Sequence, residues 1–103
     1  MAYEVRWSLP ALDDLKNIAE YISKDSPVQA TLIVEKFIEL VPGYGLRPRA
    51  ATIVPELGQD NFRHKSVYNW RVIYEINDLD KTVVIHAILH GKRLFSEISS
   101  RIK

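Results

Sequence analysis

Five residues in the second half of this chain could do chemistry on a phosphate ester: Glu56, His64, Arg71, His90 and Arg93. Cleaving RNA without a metal needs a base for the 2′-hydroxyl, cations for the charged pentacovalent phosphate and an acid for the leaving oxygen. Glu56, His64 or His90 could act as base or acid, and histidine is the natural choice near neutral pH. The guanidiniums of Arg71 and Arg93, on neighbouring strand ends, could clamp a phosphate bidentately. Each also has a structural reading. Arg71 could bond strand-end carbonyls or Glu75, and His90, directly after an apolar run, could be a hydrogen-bonded structural group. The Arg63-His64-Lys65 run reads as a solvated strand edge or, with Lys92, as cationic surface that meets a target. His86 shares a face with Val84 and Ile88 and reads as core or sheet surface. The three histidines lack metal-ligand spacing, so no zinc site follows, and no cofactor is implied.

The elements that must hold these side chains follow from the spacing of apolar residues. Tyr3, Val5 and Trp7 alternate with Glu4 and Arg6, the period of a strand with one buried face. Ser8 can cap a helix that tolerates Pro10 in its first turn and repeats Leu12, Leu15, Ile18, Ala19 and Ile22, ending near Ser23. A second helix opens on Ser26-Pro27, with Gln29 three residues past the cap, and carries Ala30, Ile33, Val34, Phe37, Ile38 and Val41 until Pro42-Gly43 and Gly45 stop it. So short a connection predicts an antiparallel helix hairpin. Residues 47–58 read as a connector with a short strand at Thr52 to Val54. Strands follow at 62–68, at 70–76, where Trp70, Val72, Tyr74 and Ile76 oppose Arg71, Ile73 and Glu75, and at Thr82 to Leu89, a near-continuous apolar run. The tail sets Leu94 or Phe95, Ile98 and Ile102 on one face of a short C-terminal helix. The predicted architecture is α+β: an N-terminal strand and a helix hairpin packed on a three- or four-stranded antiparallel sheet.

With 103 residues and 47% hydrophobic content the chain is the size of one domain over residues 1–103. It has no cysteine, so packing alone must stabilise it. No basic-then-apolar leader opens the chain and no apolar run approaches the roughly 20 residues of a membrane helix, which predicts a cytoplasmic protein without a membrane partner. The net charge of +1 is unevenly spread: net −3 over residues 1–45 and net +4 over 46–103.

Several stretches together resemble the RelE/ParE toxin superfamily. They are Val5-Arg6-Trp7-Ser8, Ala11-Leu12-Asp13-Asp14-Leu15, Ile18-Ala19-Glu20-Tyr21-Ile22, Ser26-Pro27 with Ala30, Val54-Pro55-Glu56-Leu57-Gly58, Phe62-Arg63, Trp70-Arg71-Val72-Ile73-Tyr74 and His90-Gly91-Lys92-Arg93. Singly each is weak; in this order, across about 90 residues, they are specific to the family.

The resemblance implies the toxin of a type II toxin-antitoxin pair, neutralised by a cognate antitoxin. It divides by target. RelE-like members cleave mRNA on the ribosome, and Arg71 and Arg93 match their strand and C-terminal arginines. ParE-like members inhibit DNA gyrase by binding and lack the cleavage residues. The tail after Arg93, Leu-Phe-Ser-Glu-Ile-Ser-Ser-Arg-Ile-Lys, has no tyrosine where RelE-like nucleases carry one, and +1 is a low charge for a protein that must displace counterions from RNA. The ParE-like branch is therefore the reading, with the ribosome-dependent endoribonuclease as the alternative. Antitoxin contacts are expected on the helix hairpin and the apolar tail residues Phe95, Ile98 and Ile102.

Overall fold

A computed structural model describes residues 2–90 and Arg101. Strand β1 (Glu4–Trp7) leads into helices α1 (Leu9–Ser23) and α2 (Pro27–Leu46); a 3-10 turn (Pro48–Ala50) precedes β2 (Thr52–Ile53), β3 (Phe62–Val67), β4 (Trp70–Asn77) and β5 (Thr82–His90). Both helix starts form as their residues dictate. The Ser8 hydroxyl accepts the Ala11 amide and the Ser26 hydroxyl the Gln29 amide, each at 3.2 Å, and a proline stands in the first turn of each helix, where its missing N–H costs nothing.

The α+β class is as the sequence predicts, but the sheet is larger. It has five strands in the order β1-β5-β4-β3-β2, and β1 joins its edge parallel to β5, with Val5 opposite Val83 and Trp7 opposite Ile85. Apolar alternation marks β1 as a strand without naming its neighbour; the helices and three strands between β1 and β5 supply the long connection that a parallel pair requires. The other pairs are antiparallel.

A second difference lies at the end of α2. Pro42-Gly43 reads as a stop, yet the helix continues to Leu46 and closes with the Arg47 amide on the Gly43 carbonyl. Both residues are exposed, whereas Val41, Tyr44 and Gly45 are buried. Burial of that last turn outweighs the local penalty of the proline. Gly45 is required there: its carbonyl accepts the Tyr3 amide at 2.9 Å, and a Cβ at Gly45 would collide with the Tyr3 carbonyl oxygen.

Two apolar clusters sandwich the sheet. On the helix side Ala11, Phe37, Val41 and Tyr44 meet Val72, Tyr74, Ile76, Val83, Ile85 and Ile88. On the opposite face Val54, Phe62, Ile73, Ala87 and Leu89 gather with Leu57. Strand β5 changes sides because Tyr74 faces Ile85 while Ile73 faces Ala87, leaving His86 as the extra residue of a β-bulge. Val83 and Ile85 thus point to the helices before the bulge and Ile88 after it.

The backbone freed at the bulge is caught by side chains. The His86 carbonyl accepts from Arg101 Nη1 at 3.2 Å, and the Ile88 amide donates to Asp14 Oδ2 at 2.9 Å. No helix among the described residues is long and apolar enough to cross a membrane.

Candidate functional site

The face of the sheet away from the helices carries three of the five candidate residues. In the register of β3 on β4, His64 sits opposite Ile73 and Ser66 opposite Arg71, so His64 and Arg71 occupy adjacent rows of one face. Glu56, in the turn that follows Val54 and Pro55, completes the group from above that face. Its two carboxylate oxygens accept from the two terminal nitrogens of Arg71 at 3.0 and 3.2 Å, a forked pair. The pair is largely covered, with 17% of the Arg71 side chain and 29% of the Glu56 side chain exposed. The Arg71 hydrogen bonds, helped by its charge, hold the Glu56 carboxyl below its ordinary range, so it is ionised at neutral pH.

His64 is held below its usual value by burial, with the Arg71 charge adding to the effect, and is therefore neutral near pH 7. Two buried nitrogens of this group, His64 Nδ1 and Arg71 Nε, have no hydrogen-bond partner among the described residues. The cluster thus comprises a carboxylate, a guanidinium that it neutralises, and a neutral imidazole. Among the described residues no three His, Cys, Asp or Glu side chains converge as a metal site.

Neither strand-end carbonyls nor Glu75 hold Arg71. Glu75 instead accepts from His86 Nε2 at 2.9 Å, which makes His86 a sheet-surface residue. His90 ends β5 opposite Trp70, on the helix side, where it lines a groove with Tyr21 and Asn69, away from Glu56 and His64. Arg93, Lys92, Phe95, Ile98 and Ile102 lie outside the described residues.

The cationic run on β3 splits. Lys65 is exposed, but Arg63 is not target-facing surface: it is 8% exposed, and its guanidinium donates to the carbonyls of Arg49, Ala51 and Asp60 and to the Asp60 carboxylate. All that bonding capacity ties the connector to β3, because a buried guanidinium must satisfy its donors internally. Beside it Arg49 bridges Asp60 and Asp78, and Asp78 also accepts the Tyr3 hydroxyl at 2.6 Å. These bonds hold the Asp78 carboxyl down at about 2. Nothing in the spacing of Arg49, Asp60 and Asp78 marks this network, since its members lie far apart in the chain.

The order of elements and the helix-covered sheet define the chain as a small two-layer protein of the RelE/ParE toxin architecture. Three solved structures share this fold. A chromosomal ParDE system of Pseudomonas aeruginosa has a TM-score of 0.70 at 17% identity, covering 86% of this chain and 96% of that one. A variant of the Escherichia coli toxin RelE in the free state gives 0.69 at 17% identity over 98% and 94%. A RelBE toxin-antitoxin complex of Mycobacterium tuberculosis gives 0.64 at 20% identity over 87% and 99%. Comparison with curated protein sequences returns no match. The profile of the ParE toxin of type II toxin-antitoxin systems, parDE, matches residues 5–95, and the chain belongs to this family.

Proposed function

We propose that this toxin acts by binding DNA gyrase and performs no chemistry of its own. The observation that carries the reading is the forked Arg71–Glu56 pair. A nuclease of the RelE kind would turn that guanidinium to a phosphate, but here an internal carboxylate occupies both terminal nitrogens and cancels the charge. The neutral His64 beside it adds no cation, and a net charge of +1 provides little general attraction for RNA. The test is supercoiling by purified gyrase with the toxin added. Inhibition is expected, and activity that persists at micromolar excess would overturn the reading.

A second reading, a ribosome-dependent mRNA endoribonuclease, draws on the proximity of Glu56, His64 and Arg71 on one sheet face. It requires that Arg71→Ala abolish translation-coupled mRNA cleavage. In either case the partner is a cognate antitoxin. The outer side of α2, where Val28, Leu32 and Ile38 are exposed, offers the apolar surface for an amphipathic antitoxin helix.

A further inference from the structure

A cleft of about 230 Å³ opens between the end of α2 and β3, on the side of the molecule away from the Arg71–Glu56 pair. Its floor is the stacked pair Tyr44 and Tyr74, with ring centroids 5.1 Å apart and planes at 18°. Leu40 and Ala50 form its sides, Arg47 and Lys65 stand at its rim, and no carboxylate lines it. The volume suits one aromatic or branched side chain.

Arg47 at the rim is distinctive among the described arginines because no carboxylate neutralises it. Of the six arginines described, Arg6, Arg49, Arg63, Arg71 and Arg101 are each bound to a carboxylate, and Arg47 is not. Lys65, like every described lysine but Lys36, makes no ion pair among the described residues and so adds its charge to the rim. The other described arginines are paired, whereas Arg47 stands exposed with Lys65 beside an apolar cleft. Tyr44 is itself 7% exposed, and its buried hydroxyl has no hydrogen-bond partner among the described residues.

We infer that this cleft is a docking site for an acidic peptide segment of a protein partner, which inserts one apolar side chain over Tyr44 and Tyr74 and sets flanking carboxylates on Arg47 and Lys65. The apolar anchor provides burial, and the charged rim selects the partner. The inference holds whichever target the toxin poisons.

The experiment is an NMR titration of the full chain with three probes: acetyl-Asp-Phe-Glu-amide, acetyl-Lys-Phe-Lys-amide and a short uridine oligonucleotide. The acidic peptide is expected to shift the amides of Gly43, Tyr44 and Lys65 and to bind about fivefold or more tightly than the basic one. The charge-reversed variant Arg47→Glu/Lys65→Glu should invert that preference. Should the variant not fold, raising salt from about 0.05 to about 0.5 M should weaken the acidic peptide severalfold on the unmodified chain. The inference is overturned by unshifted amides at millimolar acidic peptide, by equal affinity for both peptides, by salt-independent binding, or by an oligonucleotide that perturbs the same amides more strongly.

Discussion

Arg101 grips both carboxylate oxygens of Asp14, at 2.6 and 3.0 Å, while one of those oxygens also receives the amide of Ile88. One side chain of α1 thereby holds the edge of β5 beyond the reach of β1, and Arg101 with it. Asp14→Ala should destabilise the protein by about 1–3 kcal/mol, because it leaves the Ile88 amide without its acceptor and removes the carboxylate that neutralises a partly buried guanidinium. Asp13→Ala, one residue earlier and exposed, should change stability by less than about 0.5 kcal/mol. Urea midpoints of the two variants provide the comparison, and equal midpoints would refute the role given to Asp14.

The Arg71–Glu56 pair separates structure from activity. Arg71→Ala leaves a mostly covered carboxylate alone and should cost about 1–3 kcal/mol; replacing both by leucine should recover most of that loss. Glu56 has a depressed pKa, so its contribution is present above the ordinary glutamate range and is lost as pH falls through the folded value. Under the gyrase-binding proposal the double variant keeps its inhibitory power per folded molecule. Loss of inhibition in a well-folded double variant would place the pair in the target interface.

The Asp78 network makes a prediction in acid. Its folded pKa of about 2 lies below the unfolded value of about 4. The Arg49 and Tyr3 bonds therefore stabilise the fold above about pH 4, and that contribution fades as pH falls toward about 2. Chemical denaturation across that interval should show a steeper decline for the unmodified protein than for Asp78→Asn. Parallel curves would mean that solvent screens the network completely.

Two glycines near the end of α2 should respond oppositely to the same change. Gly45→Ala drives a methyl group into the Tyr3 carbonyl and should cost about 1–3 kcal/mol through displaced β1. A methyl at Gly43 meets nothing within 4 Å, so Gly43→Ala should stabilise the helix by about 0.5–1 kcal/mol. Thermal unfolding distinguishes them, and a fall in Tm for both would show that the helix end is not as described.

What the sequence makes legible here is what acts locally. Ser8 and Ser26 announce their helices because a cap bonds an amide three residues on, and β3, β4 and β5 follow from alternation and turn residues within two successive hairpins. The candidate cluster was partly legible, since alternation puts Arg71 on the face opposite Trp70, Val72 and Tyr74, whereas the β3–β4 register is needed to bring His64 beside it. The remainder is set at a distance. Glu56 reaches Arg71 only when the turn after β2 folds over the sheet, Arg63 turns inward because the connector offers it carbonyls, and β1 finds β5 across two helices and three strands. At Pro42 the local signal was clear and lost to the burial of Tyr44 and Gly45.

The His86 bulge has a consequence for how this family member tolerates change. A strand with strict alternation can lose two residues and keep its inside and outside, but β5 uses its single odd residue to exchange them. Everything from Ala87 onward is keyed to that one insertion. Deleting His86 would turn Ile88 away from the helices and Ala87 and Leu89 toward them, while the Asp14 carboxylate would meet a backbone position shifted by one. The bulge thus acts as a phase marker for the end of the sheet. Sequence drift in β5 is then confined to substitution, because a change of length by one residue would invert both cores at once.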